Sequence, residues 1–396
     1  MLQLAISALL LLIVVGKSDL KAADGIYVNI KFYSSELTFP SMPEMFTELP
    51  TQLNEEVFRD AHAYFETTEY LPFLKKVGDY RRGMNLSDWH YYDIIAKYSE
   101  QVFPDAGSNF QVLFQWFVLR KSGIDARLFH TDTQVFLNAL SNDVEFGFYI
   151  MQLGDKKYVN LTAKRSDIKL GDMTAYMPNF VPDSAIMPFS MKLASIPRLG
   201  PSKIVDRLIE FKHKEKTYQV QVELNKLWLE MMDDYPFYNQ KSYFEVGMSR
   251  EAEASLLPQL EKFMLYMTDV EKVRFLLSFT RTAFFYKDDA GKYGKEKPMT
   301  PEQTLYHSYS DCEDRSALFF FLCRKLLNLP EIVLDFQTHV GVAVVLEGVD
   351  GQYYKYKGRR FVYCEPTGPQ DVLKPGEMWD KVREQKARIL LEYIPE

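Results

Sequence analysis

Apolar and polar residues alternate along this chain with periods that change several times, and each change predicts a new element. Residues 26–34 alternate loosely with the period of a strand, and residues 53–70 and 88–102 have the spacing of amphipathic helices. Pro72 is the expected end of the first of these helices. Residues 108–120 are mainly apolar and end before a glycine, which predicts a buried helix. The strands expected after this helix are residues 124–129, 146–152 and 157–161.

A second series of elements follows residues 166–200, which are rich in Pro and Met and show little periodicity. Residues 204–228 alternate strictly in places on both sides of a charged Lys-Glu-Lys turn, which predicts a β-hairpin. Residues 252–285 have helical spacing, and another apolar helix follows the polar stretch at residues 310–316. The strands expected after that helix are residues 332–336, 337–346 and 361–368.

The two halves therefore show a similar order of polar helix start, apolar helix and strands. Setting Arg120-Lys121 opposite Arg324-Lys325 aligns the two apolar helices. The resulting alignment, with two changes of gap, pairs Ser108 with Cys312, Glu145 with His339 and Asn160 with Glu365. We interpret this as a diverged internal duplication whose first copy lacks the thiol and the imidazole. Two unrelated α+β segments of similar rhythm are the alternative.

The pattern as a whole predicts an α+β fold, duplicated, with a small β-rich insert between the copies. The expected division is residues 1–23 as a signal peptide, 24–165 as a degenerate first copy, 166–250 as linker and small β-rich domain, and 251–396 as the second copy, which carries the candidate chemistry.

Composition excludes some classes of partner. The net charge is −7 with a pI near 5.6, and basic residues are not clustered, so nucleic acid is not expected to bind. Residues 3–15 form an uncharged apolar run, which has the length of a signal-peptide core and is short for a membrane span. We expect export to the periplasm or secretion, and no membrane contact beyond this segment. An uncleaved anchor is the alternative.

Three cysteines, an odd number, all lie in the last quarter of the chain, which suits one reactive thiol better than a disulfide framework. Ser310 as N-cap and Glu313 at the third helical position fit a capping box, which places Cys312 in the first turn. Free N–H groups and the helix dipole stabilise a thiolate there, although the neighbouring carboxylates oppose this effect. Cys323 and Cys364 are expected to be buried. No paired ligand spacing favours a metal, and no cofactor is expected.

His339 stands at the polar start of an apolar strand, 27 residues after Cys312, and Glu365 ends a later strand, 26 residues after His339. A cysteine nucleophile needs a base, and the base needs a third group to orient it. Neighbouring antiparallel strands would place these two side chains together. Asp335 and Asp311 are rival orienting acids, and His307 is a rival base. The N–H of Cys312 and the hydroxyls of Tyr306 and Tyr309 are candidate oxyanion donors.

Three segments resemble the core motifs of the transglutaminase-like cysteine enzymes, which share a papain-like fold: Ser-Asp-Cys-Glu-Asp-Arg-Ser-Ala-Leu at 310–318, Thr-His-Val-Gly-Val-Ala-Val at 338–344 and Tyr-Cys-Glu-Pro-Thr at 363–367. The chain is also similar to exported bacterial proteins with such domains. The resemblance implies a triad of Cys312, His339 and Glu365 that acts through a thioester, although the family usually has Asp in place of Glu365.

The resemblance implies an enzyme that breaks or exchanges amide bonds of peptides or proteins. Hydrolysis makes the enzyme a peptidase or amidase, and attack by an amine makes it a transglutaminase. We expect hydrolysis because water outnumbers amines outside the cell. A binding module without catalytic activity, built on the same scaffold, is the alternative.

Overall fold

The computed structural model describes residues 27–42, 49, 52–167, 169, 174–201, 203–287, 298–368 and 373–396. The expected signal peptide at residues 1–23 lies outside the described residues. The described chain has a mixed α+β fold with several antiparallel sheets, which confirms the predicted fold class at this level. No helix among the described residues is both long and apolar enough to span a membrane.

The N-terminal unit is built from helices that pack against two antiparallel sheets. Its elements are β1 (Tyr27–Phe32), β2 (Ser35–Pro40), α1 (Glu55–Glu66), α2 (Tyr70–Gly83), α3 (Asp88–Val102), α4 (Gly107–Lys121), β3 (Ala126–His130), β4 (Val135–Leu140), β5 (Ile150–Leu153), β6 (Lys156–Asn160) and α5 (Leu161–Arg165). The predicted apolar helix is α4, which is buried around most of its circumference, as its composition requires.

Pro72 does not end a helix as expected. It lies in the first turn of α2, where the missing N–H would have no partner within the helix in any case. The helix that precedes it, α1, ends earlier, at Glu66, where the N–H of the following Thr67 closes the last turn.

The connecting segment contains β7 (Ile204–His213), β8 (Lys216–Asn225), α6 (Lys226–Asp234) and α7 (Ser242–Glu245). The two strands form the predicted hairpin, with Lys214 of its turn in the left-handed region at φ 53°. The inward side chains of the hairpin belong to the C-terminal core, whereas Leu227, Trp228 and Met231 of α6 belong to the N-terminal core. The segment therefore joins the two units through their cores.

The C-terminal unit surrounds a long apolar helix with a five-stranded sheet on one side. Its elements are α8 (Arg250–Phe263), α9 (Asp269–Thr282), β9 (Phe285–Tyr286), α10 (Pro301–Tyr306), β10 (Tyr309–Ser310), α11 (Cys312–Leu326), β11 (Glu331–Asp335), β12 (Val340–Val344), β13 (Tyr353–Tyr356), β14 (Arg359–Cys364), α12 (Asp380–Arg383) and β15 (Arg388–Tyr393). The sheet order is β13-β14-β12-β11-β15, and all its pairs are antiparallel.

The two larger sheets share a strand order. In each unit a helix of 15 residues, α4 or α11, precedes four strands. The N-terminal sheet has the order β3-β4-β6-β5, and the corresponding strands of the C-terminal sheet have the order β11-β12-β14-β13. By this order β4 corresponds to β12. Glu145 follows β4 whereas His339 precedes β12, so the expected pairing of these two residues does not hold.

Candidate active site

The helix that carries Cys312 begins one residue later than the sequence suggested. Asp311, not Ser310, is the N-cap: its carboxylate accepts the N–H of Asp314, and the Asp314 carboxylate accepts the N–H of Asp311. Ser310 belongs to the short strand β10, and its hydroxyl accepts a hydrogen bond from Nε of Arg315 at 2.9 Å. Cys312 is therefore the first residue of α11, in the turn where backbone N–H groups have no helical partner.

The start of α11 crosses the start of β12, next to His339. The hydroxyl of Ser316 donates to the carbonyl of Val340 at 3.0 Å, and the backbone N–H of Val340 lies near enough to the thiol of Cys312 to oppose in part the rise of its pKa. The thiol thus contacts the backbone of the residue that follows His339. Within the described part of the chain, no hydrogen bond joins the thiol to the imidazole itself.

His339 and Glu365 form a hydrogen-bonded pair. Nε2 of the ring lies 2.9 Å from Oε2 of Glu365, which also accepts the hydroxyl of Tyr363 at 2.7 Å. Oε1 accepts the N–H of Thr367 at 2.9 Å. Burial alone would raise the pKa of Glu365, but these hydrogen bonds outweigh burial and the pKa lies below its usual value. An ionised carboxylate cannot donate, so Nε2 carries the proton and Nδ1 is the acceptor nitrogen.

Gly341 allows this arrangement. The pairing of β12 with β14 brings the two strands together beside the histidine, and a Cβ on Gly341 would lie 2.7 Å from the hydroxyl of Tyr363. Any larger residue would displace Tyr363 from Glu365. The sequence analysis missed Tyr363, although it lies two residues before Glu365, a spacing that in extended backbone places both side chains on the same side.

Two buried arginines hold the backbone behind the pair. Arg315 donates to the carbonyls of Phe284 at 2.8 Å and Thr367 at 3.1 Å, and Nε of Arg281 donates to the carbonyl of Glu365 at 2.7 Å. Burial lowers the pKa of Arg315 to about 10, so the guanidinium stays charged at neutral pH. Arg315 thereby links the strand before Cys312 to the loop after Glu365. No pattern in the sequence indicated this role.

The thiol of Cys312 is almost enclosed and held protonated. Cys312 is only 8% exposed, and its Sγ donates to Oε2 of Glu313 at 2.8 Å. Burial raises the pKa of Cys312, and the charges of Glu313 and Asp311 raise it further. Cys323 and Cys364 are fully buried and their pKa values are raised by the same cause, as was expected for structural thiols.

The rival residues occupy other places. Asp335 pairs with Arg388 at 2.7 Å, and Asp311 serves the helix cap. His307 follows the last turn of α10, where its N–H closes the helix. Tyr309 lies in β10 with its ring beside Phe285, and Tyr306 and Tyr309 are each 40% exposed. Among the described residues no group of three or more His, Cys, Asp and Glu could hold a metal ion.

One cavity adjoins the start of α11, and a second, larger cavity lies next to it. The smaller, of about 270 Å³, is lined by Asp311, Glu313 and Val340 on the side of the thiol. The larger, of about 970 Å³, lies among elements of both units and the connecting segment. Phe237, Tyr243 and Pro298 line both cavities, which therefore share a wall. A substrate that reached the thiol from this side would contact residues of both units.

Two of the three counterparts expected in the first unit, Ser108 and Asn160, lie in similar positions. Ser108 is in the first turn of α4, and Asn160 ends β6, where its side chain accepts the N–H of Ala163 and caps α5.

Comparisons with protein-family models, with curated proteins and with solved structures found no match.

Proposed function

We propose that this protein is an exported thiol enzyme that hydrolyses or transfers amide bonds of peptides or proteins, with Cys312 as nucleophile, His339 as base and Glu365 as the group that orients the base. The observation that carries the proposal is the hydrogen bond between Nε2 of His339 and the buried Glu365, which leaves Nδ1 of the ring as an acceptor. The next residue, Val340, has its backbone N–H beside the thiol of Cys312.

The chemistry follows from these contacts. Nδ1 of His339 takes the proton of Cys312, and Sγ attacks the carbonyl carbon of the amide. Glu365 stabilises the imidazolium that forms, and the N–H of Val340 stabilises the thiolate. The imidazolium then gives its proton to the departing amine, and a thioester remains. Water or a second amine attacks the thioester and restores the thiol.

In the described conformation the thiol donates to Glu313 instead of to His339. A change of the Cys312 side-chain torsion toward the ring must therefore precede the reaction. The first residue of a helix tolerates such a change because no preceding turn restricts the side chain.

The fold supports an assignment to the transglutaminase-like enzymes and an internal duplication. The shared strand order and the two 15-residue helices that precede the sheets are the support for both. In this reading the first unit, with Ser108 and Asn160 at the corresponding places, is a scaffold that has no nucleophile. It contributes Phe146 to the wall of the cavity beside Cys312 and several residues to the larger cavity next to it.

One observation favours the alternative of a binding module. The contact with Glu313 and the raised pKa of Cys312 are also what an unreactive thiol would show. The second copy would then recognise a peptide through the cavity without changing it. Reactivity of the thiol decides between the two functions.

The test is labelling with an electrophilic peptide that mimics an amide substrate, at neutral pH, followed by mass spectrometry of the three cysteines. We expect selective modification of Cys312, and a loss of at least about a hundredfold in rate for His339→Ala, as is usual for a general base. His213→Ala is the matched control, because His213 of the connecting segment is also buried but contacts Ser278. Equal and slow modification of all three thiols would favour the binding module. A rate of Cys312 modification that is the same in His339→Ala as in the wild type would favour it too.

A further inference from the structure

The cavity of about 270 Å³ beside Cys312 combines aromatic walls with negative charge. Phe146 of the N-terminal unit and Phe237 and Tyr243 of the connecting segment form one side. The ring centroid of Phe237 lies 4.5 Å from that of Phe146 and 4.8 Å from that of Tyr243. Asp311 and Glu313 line the other side. Among the described residues that line this cavity there is no lysine, arginine or histidine.

Glu313 is the carboxylate of this cavity that can turn toward a ligand. The Asp311 carboxylate accepts a backbone N–H at the start of α11. Glu313 is half-buried, and no lysine or arginine of the described residues forms an ion pair with it. Its hydrogen bond comes from the thiol of Cys312, at 2.8 Å. One side chain therefore contacts both the nucleophile and the space where a substrate would lie.

A cation is the group that this cavity favours. Aromatic faces attract ammonium and guanidinium groups, and a charge-assisted hydrogen bond to a carboxylate is stronger than the bond from a thiol. A neutral side chain would gain only apolar contact, and an anion would be repelled. A cation that binds here takes the place of the thiol as the donor to Glu313.

We propose that Glu313 selects substrates that carry a primary ammonium or guanidinium group beside the scissile amide, and that this cation releases the thiol of Cys312 from Glu313. The inference rests on the proposed function. Without such a substrate, Glu313 holds the thiol protonated and turned from the base, so the contact is also a safeguard against indiscriminate reaction.

The proton and bonds balance without any further reactant. The cation donates an N–H to Glu313, which stays ionised throughout. The thiol, having lost that acceptor, gives its proton to Nδ1 of His339, and the Sγ–carbon bond forms as the amide carbon–nitrogen bond breaks. The imidazolium returns the proton to the departing amine.

Two peptidyl chloromethyl ketones test this inference, identical except for lysine or norleucine next to the reactive ketone. Norleucine keeps the hydrocarbon chain and lacks the ammonium group. We expect the wild-type protein to alkylate Cys312 with the lysine probe about tenfold faster or more, as a charge-assisted hydrogen bond allows. In Glu313→Gln the ratio of the two rates should fall to nearly one, because the norleucine probe should react faster than it does with the wild-type protein. Glu347→Gln, an equal change of charge on an exposed residue, should keep the wild-type ratio.

The outcomes separate this inference from the proposed function. A wild-type ratio near one, or a ratio retained in Glu313→Gln, overturns the role of Glu313. If labelling of Cys312 still depends on His339 in that case, the proposed function stands. If neither probe modifies Cys312 in the wild type or in Glu313→Gln, both proposals fail. Gln has the length of Glu and a similar helix propensity, so the variant should keep the fold.

Discussion

Glu313 and Glu365 contact the thiol and the imidazole, and their surroundings differ. Glu313 is half-buried and accepts one bond, from Cys312, whereas Glu365 is fully buried and accepts from His339, Tyr363 and Thr367. Three donors offset the cost of burying a charge, so the pKa of Glu365 is lowered despite its burial. A carboxylate held in this way keeps the imidazole in one tautomer.

Tyr363→Phe tests the electrostatics of this pair. The folded-state pKa of Glu365 is lower than its unfolded value, so its ionisation contributes stability above the unfolded pKa. That stability is lost as the pH falls through the folded pKa. Tyr363→Phe removes one donor and raises the Glu365 pKa. We expect the variant to lose about 1 kcal/mol at pH 7, and the loss to shrink as the solution is acidified through the wild-type pKa of Glu365.

Urea denaturation at several pH values measures this difference. Tyr353→Phe is the control, because Tyr353 is 40% exposed and its ring, which the phenylalanine retains, packs against Arg360. Its effect on stability should be small at every pH. A loss in Tyr363→Phe that is the same from neutral to acid pH would show that the hydroxyl does not act through the charge of Glu365.

At the scale of elements, the sequence predicted the apolar helices, the hairpin and the two strands whose ends adjoin His339 and Glu365. It did not place the first residue of α11, because the capping-box rule favours Ser310 with Glu313, whereas Asp311 with Asp314 forms the box in the structure. A tertiary contact decides between them: Ser310 is engaged by the buried guanidinium of Arg315. No sequence rule predicts that an arginine will be buried among carbonyl groups.

Arg315→Lys tests whether this arginine fixes the relation of α11 to the loop after Glu365. Lysine carries the same charge but cannot reach the carbonyls of Phe284 and Thr367 and the hydroxyl of Ser310 at once. We expect a loss of about 3 kcal/mol in the free energy of unfolding, because buried acceptors lose a charged donor. Labelling of Cys312 by the amide mimic should also slow.

Arg324→Lys, at the other end of the same helix, is the control for Arg315→Lys. Its guanidinium packs over the ring of Phe320, a contact that lysine can keep. Chemical denaturation should show a change below about 1 kcal/mol. If both substitutions have the same small effect, Arg315 does not position the helix start.

At the scale of the whole molecule, the candidate site belongs to neither unit alone. Phe146 of the N-terminal unit lines the cavity beside Cys312, and the N–H groups of Glu145 and Phe146 donate to the carbonyl of Tyr238 in the connecting segment. The sequence alignment gave Glu145 a catalytic counterpart, but its observed role is to fasten this loop. Sequence periodicity predicts elements one at a time, so it could not predict that residues of both units line one cavity.

Gly147 is where this loop and the connecting segment approach most closely. Its φ is +78°, and a Cβ on it would lie 2.3 Å from the carbonyl oxygen of Phe237. Gly147→Ala must therefore push the loop away and displace the wall that Phe146 and Phe237 form. We expect labelling of Cys312 by the lysine chloromethyl ketone to slow on the order of tenfold, because small displacements in a binding site have large effects on rate. Alkylation by iodoacetamide, which needs no such wall, should be unchanged.

Gly154→Ala separates the displaced wall from backbone strain. Gly154 has a φ of +62°, so alanine there meets the same left-handed strain, of about 1–2 kcal/mol, but a Cβ on it has no atom within 4 Å. Gly147→Ala should lose more stability than Gly154→Ala, because the loop must also move, and only Gly147→Ala should slow the peptidyl probe. If both variants label Cys312 at the same rate with both reagents, the N-terminal unit does not shape the site. The substrate would then have to be recognised by the C-terminal unit and the connecting segment alone.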